Sequence, residues 1–166
     1  GLSLDEWSKR LAEVTPLQQP ALFWAGQCWG SWLSLNLDSV EALSGLPRIG
    51  GMMSRAVELD PEFYYAGPHL FLGAYYGGRS RMLGGNPDKA KSHFEQALKI
   101  TEGKYLLISF LYAKIYAVQN QDRNLFKTQL EKVLEASVDV LPEQRLANQI
   151  AKRKAAVLLE GIDELF

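Results

Sequence analysis

Leu72-Gly73-Ala74-Tyr75-Tyr76, the loop Gly77-Gly78-Arg79-Ser80-Arg81-Met82-Leu83-Gly84-Gly85, and then Asn86-Pro87-Asp88 leading to Ala90, Phe94 and Ala97 are the stretch whose reading decides the fold. Asn86 is a good N-cap, Pro87 suits the first helical position, and Asp88 lies near the positive end of the helix dipole. Four glycines between residues 77 and 85 punctuate the chain. The stretch therefore reads as two helices joined by an elaborated turn. Gly73 and Ala97 are small enough for neighbouring helices to approach closely, and an aromatic side chain then fills the gap beside them. Both are predicted to be buried where helices touch.

The same pattern recurs on either side. Upstream, Ala25-Gly26 with Trp29 aligns with the first helix, and Met53, Ala56 and Pro61 with the second. Downstream, Tyr112-Ala113 with Tyr116 precedes Leu130 and Val133. Leu-Gly-x-x-Tyr followed by Ala-x-x-x-Phe is the signature of tetratricopeptide helix pairs. Gly26 to Gly73 is 47 residues and Gly73 to Ala113 is 40, against a usual period of about 34. The excess lies in insertions at residues 36–47 and 77–85, and such insertions elaborate one face of a stack. At the N-terminus, Ser3-Leu4-Asp5-Glu6 fits a capping box, with Leu4, Trp7, Leu11 and Val14 at helical spacing behind it. Further helices are predicted over 17–35, 38–44 (a short helix or turn), 48–59, 67–76, 87–101, 105–118, 122–136 and 142–165. The expected fold is all-α: one tetratricopeptide-like α-solenoid over residues 1–166, with repeats at 17–61, 66–101 and 105–136 and a capping helix at 142–165.

Composition narrows the function. The chain is 47% hydrophobic and 22% charged, with a formal net charge of -1, so no basic surplus draws it to nucleic acid or an anionic membrane. No apolar run reaches about 18 residues, so no membrane span is expected. The single cysteine, Cys28, sits among Trp24, Gly26 and Trp29, which predicts a buried apolar thiol; one cysteine forms no internal disulfide. The loop 77–85 lacks the lysine and Ser/Thr of a phosphate-binding loop, and Asp88 would repel an anion. His69 and His93 without a cysteine or carboxylate cluster make a poor metal site. Neither a nucleophile elbow nor a His-Glu-x-x-His motif is present. The expectation is a binding protein, with no catalytic residues, metal or cofactor. Lys152-Arg153-Lys154 reads as a solvated helix face.

Aromatic residues carry the sharper reading. They make up 11% of the chain. Trp29 and Tyr76 occupy packing positions of the repeat, but Trp24, Trp32, Tyr64, Tyr65 and Tyr75 do not all fit the same faces. The concave side of a solenoid is formed mainly by the first helix of each pair. Trp24, Trp32, His69, Tyr75 and Tyr112 are the expected lining of a pocket there, suited to a small apolar ligand or an aromatic anchor from a partner. Arg79 and Arg81 would add a carboxylate clamp at its mouth. A generic tetratricopeptide adaptor for peptide termini is the rival reading. It fits less well, because the first helices carry few Lys, Arg or Asn.

The wording of the sequence goes beyond generic repeats. Pro20 to Leu37, with Cys28-Trp29-Gly30-Ser31-Trp32, resembles the T-component (TatT) family of tripartite, binding-protein-dependent TRAP transporters. So do Leu46-Pro47 and Arg55-Ala56-Val57-Glu58-Leu59-Asp60-Pro61, His69-Leu70-Phe71-Leu72-Gly73, and Leu83-Gly84-Gly85-Asn86-Pro87. The likeness continues through Tyr112 to Val118, Gln121-Asp122, Leu146-Ala147-Asn148, Ile150-Ala151, Leu158-Leu159 and Leu165-Phe166. The resemblance implies a periplasmic homotrimer that docks the soluble substrate-binding protein of a TRAP transporter and takes up a small hydrophobic or carboxylate ligand. It also implies that this chain is the C-terminal part of a longer lipoprotein, whose export signal and lipid-anchoring cysteine would precede Gly1.

Overall fold

A computed structural model of the protein describes residues 2–36 and 38–166. The fold is all-α, as the sequence predicts, with no strand among the described residues. The chain forms two compact units, residues 1–72 and 73–166.

The first unit contains α1 (Leu4–Ala12), α2 (Gln19–Ser34), α3 (Val40–Ser44), α4 (Leu46–Leu59) and the first part of α5 (Phe63–Gly77). Helix α1 opens on the predicted capping box: the Glu6 carboxylate accepts from the Ser3 N–H at 2.8 Å and Ser3 Oγ accepts from the Glu6 N–H at 3.2 Å. Its C-terminal end is held by α4. Arg55 Nη2 donates to the Val14 carbonyl at 2.9 Å, and the Trp7 indole donates to the Arg48 carbonyl at 3.2 Å. Helix α2 packs on α4 through Gly26 and Leu33, and a Cβ on Gly26 would lie 2.9 Å from Met53 Cε, while buried Phe23 packs against Phe63 and Gly67 of α5. Pro47, just ahead of the helix predicted over 48–59, lies in the first turn of α4, where a missing N–H costs nothing.

Helix α5 begins in an unusual way. Tyr64, Tyr65 and Ala66 all have left-handed backbone, with φ of 46°, 58° and 59°, and regular helix starts only at Gly67, where the sequence pattern begins it. Left-handed backbone costs an L-residue roughly 1–2 kcal/mol. Pro68 falls in the first turn of the regular segment, so its missing donor breaks no ladder.

The second unit holds the end of α5, then α6 (Pro87–Ile100), α7 (Leu106–Leu111), α8 (Arg123–Glu135), α9 (Arg145–Glu160) and α10 (Ile162–Leu165). Asn86 caps α6 as predicted, accepting from the Lys89 N–H at 3.0 Å. Gly73, Ala97 and Phe94 are buried, and the Phe94 ring lies against Gly73. The loop before α6 is pinned rather than slack. The Gly85 N–H donates to Ser80 at 2.9 Å and the Asn86 N–H to Tyr76 at 3.0 Å. Only glycine fits at position 85, because a Cβ there would lie 1.9 Å from the Arg79 carbonyl oxygen.

Two predicted helices are broken. The segment expected as one helix over 105–118 turns into a π-helix at Tyr112–Ala117, and the last helix is interrupted at Gly161 between α9 and α10. The core joins Phe110, Ala113 and Ala117 to Phe126, Leu130 and Val133 of α8 and Ala151 and Ala155 of α9. Fully buried Asn148 ties the ends together: its Oδ1 accepts from the Leu106 N–H at 2.9 Å, and its Nδ2 donates to the Lys104 carbonyl at 3.1 Å.

Candidate binding surfaces

Three of the residues expected to line a pocket lie in the first unit. Trp24 and Trp32 sit on the outer face of α2, 42% and 46% exposed. They are two helical turns apart, on a face shared with Ala21, Cys28, Ser31 and, beyond the helix end, Leu35. Cys28 is exposed, which corrects the expected buried thiol. Helix α2 is apolar nearly all round, so the periodicity that would reveal its outer face is absent from the sequence. No charged residue occurs between Glu13 and Asp38. Trp24 packs edge-on against Tyr64 at 4.8 Å and Phe23 at 5.0 Å. The left-handed turn of α5 thus presents Tyr64, 43% exposed, beside the tryptophan. His69 is buried, and burial holds its pKa below the ordinary imidazole value, favouring the neutral ring.

The other four lie in the second unit. Tyr75 is half-buried under the Arg79 guanidinium, 3.8 Å from the ring centre. Arg79 also donates from Nε to the Tyr75 carbonyl at 2.9 Å and from Nη1 to the Leu83 carbonyl at 3.3 Å. These bonds brace the Gly-rich loop, and only its buried Nη2 is without a hydrogen bond. Arg81 is exposed. Tyr112 is 2% exposed, its ring stacked 4.9 Å from Phe94. Burial, with the negative charge of Glu95 second, raises the pKa of its phenol.

The second unit also contains a groove of about 670 Å³ that none of these seven residues lines. Phe110, Leu158 and Leu165 contribute apolar surface, α9 adds Ile150 and Val157, and Lys114, Arg153 and Lys154 supply cations. Sequence reading missed it. The signal available was the i, i+7 pair Ile150 and Val157 flanking Arg153-Lys154 on one helix. A smaller cavity of about 350 Å³ is bordered by Ser109 and by buried Gln129, whose Oε1 has no hydrogen-bond partner. Among the described residues no group of three or more His, Cys, Asp or Glu is placed to hold a metal ion. Among them, too, no helix is long and apolar enough to cross a membrane.

The class these observations define is an all-α protein with a bare aromatic helix face and a separate cation-rimmed groove. The TRAP transporter T-component family matches it over residues 2–166, and the chain belongs to that family. No curated protein matches the chain.

Proposed function

We propose that the protein is a non-catalytic accessory component of a TRAP transport system that docks the periplasmic substrate-binding protein. Family membership supports the transport role. The observation that carries docking is the outer face of α2: Trp24 and Trp32 stand open to solvent on a helix without a charged residue. Interface centres are depleted in charge and enriched in Trp and Tyr, and Tyr64 extends the patch. The same proposal includes a periplasmic, lipid-anchored homotrimer, a tetratricopeptide solenoid built from the three repeats, and uptake of a small apolar or carboxylate ligand. Contact of Gly73 with Phe94 and of Gly26 with Met53 supports the repeat assignment. It also favours a second reading, a general tetratricopeptide adaptor for other partners.

The test is binding of the purified chain to the substrate-binding protein of a TRAP transporter from the same source, measured by sedimentation. The double variant Trp24→Asp/Trp32→Asp should weaken the complex at least about tenfold, an amount equal to 1.4 kcal/mol. Unchanged affinity in that variant, with its helix content intact, sinks the proposed docking face. No complex with the wild-type chain leaves the adaptor reading in place of the transport one.

A further inference from the structure

We infer that the groove formed by α7, the π-helix and α9–α10 binds an amphipathic organic anion, an acidic head group on an apolar chain. Its apolar side is unusual for a surface. A helix on a soluble protein turns its apolar residues inward and its charges outward. On α9 that division holds for buried Ala151 and Ala155, yet Ile150 is 43% and Val157 70% exposed, and both line the groove. They lie on the same side of α9 as Arg153, with Phe110 of α7 and Leu165 of α10 completing the apolar surface. The volume, about 670 Å³, is within the range of small-molecule sites.

The cations set the head group. Lys114, Arg153 and Lys154 line one groove against a single carboxylate, Glu164. Among the described residues none of the three cations has an ion pair or a hydrogen bond; Lys114 only approaches the Phe110 ring, at 6.0 Å. Neighbouring cations on the same unit are engaged: Arg123 with Asp163, Lys127 with Glu131, Arg145 with Asp139, and Lys152 with the Ala136 carbonyl. In a chain with net charge of -1, this is a local positive excess over apolar surface. The π-helix contributes to the geometry. Tyr112, Ala113 and Ala117 of that turn stay buried while Lys114 is exposed at the groove, and π turns recur at functional sites. Guanidinium and ammonium groups bind carboxylate or sulfonate, and the hydrocarbon beneath them accepts a chain.

This inference rests on the ligand-binding half of the function proposed above and not on the docking half. The test titrates the purified chain with dodecanoate, dodecanol and dodecyltrimethylammonium, each below its micellar concentration, by calorimetry. Dodecanoate should bind at one site per chain, weaken as salt is raised, and outcompete the other two. Arg153→Gln/Lys154→Gln should raise its Kd at least tenfold, and Val157→Glu should do so independently. Trp24→Asp/Trp32→Asp should leave the Kd unchanged. Equal binding of the cationic chain, or a Kd that the Arg153/Lys154 pair does not move, overturns the inference, as does the absence of saturable dodecanoate binding. Sedimentation with the substrate-binding protein, run on the same variants, separates the two readings. Loss of docking only in the α2 variant leaves the groove assignment standing. Loss of docking in the groove variants, without any dodecanoate binding, makes the groove a protein contact and overturns it.

Discussion

Replacing Gly73 by alanine sets two effects of similar size against each other. Alanine is better than glycine in a helix interior by about 1 kcal/mol. Against that, the added Cβ would meet Cδ2, Cγ and Cδ1 of Phe94 at 3.0, 3.0 and 3.1 Å. Carbon atoms prefer about 3.5–4.0 Å, so three contacts are too close at once. Phe94 is fully buried and its ring stacks on Tyr112 at 4.9 Å, which blocks a simple retreat. Overpacking of this kind costs about 1–3 kcal/mol, so a net loss on the order of 1 kcal/mol is expected after the propensity gain. Gly161→Ala is the control: at the junction of α9 and α10 its φ of -89° suits alanine and its nearest neighbouring atom is 4.0 Å away, so the added methyl meets no crowding and stability should hold or rise. Phe94→Leu should relieve the overlap, giving a coupling of about 1 kcal/mol or more in a double-mutant cycle with Gly73→Ala. The assay is urea denaturation followed by far-ultraviolet circular dichroism. A Gly73→Ala variant as stable as Gly161→Ala, or a coupling near zero, would refute the packing that underlies the repeat assignment.

Asn148→Ala strips the buried Leu106 N–H and the Lys104 carbonyl of their partner, and should lower stability by about 2–3 kcal/mol in the same denaturation assay. A loss under about 0.5 kcal/mol would show that the bond network is not what joins α9 to the start of α7. His69 gives a pH dependence. Because burial depresses its pKa in the folded chain, the unfolded chain takes up the proton first. Its contribution is therefore complete above the unfolded value of about 6.5 and declines as pH falls below that value toward and through the folded one. Melting temperature should drop between pH 7.5 and 5, and His69→Gln should flatten that slope; an unaltered slope would contradict the assignment.

What the sequence made legible was local. Ser3 and Asn86 cap their helices as read because a cap needs only a side chain and an N–H three residues on. Gly73 and Phe94 were readable because the repeat pattern encodes their meeting. Other features depend on contacts far apart in sequence. Nothing in Tyr64-Tyr65-Ala66 favours left-handed backbone, since such φ values belong mainly to Gly, Asn and Asp. The groove brings Lys114 beside Arg153 and Lys154, which requires the path of three helices to be known. Lys152-Arg153-Lys154 read as one solvated face; Arg153 and Lys154 are exposed as that reading expects and border the groove, whereas Lys152 is half-buried and bonds the Ala136 carbonyl. Cys28 was misplaced for a related reason. A helix apolar on every side is the pattern of one enclosed on every side, and its sequence cannot say which side is open. The chain itself covers the side of α2 bearing Phe23, Gly26 and Leu33, and leaves Trp24, Cys28 and Trp32 in solvent. That mismatch between a pattern built for full enclosure and a helix enclosed on one side is the physical content of the docking proposal.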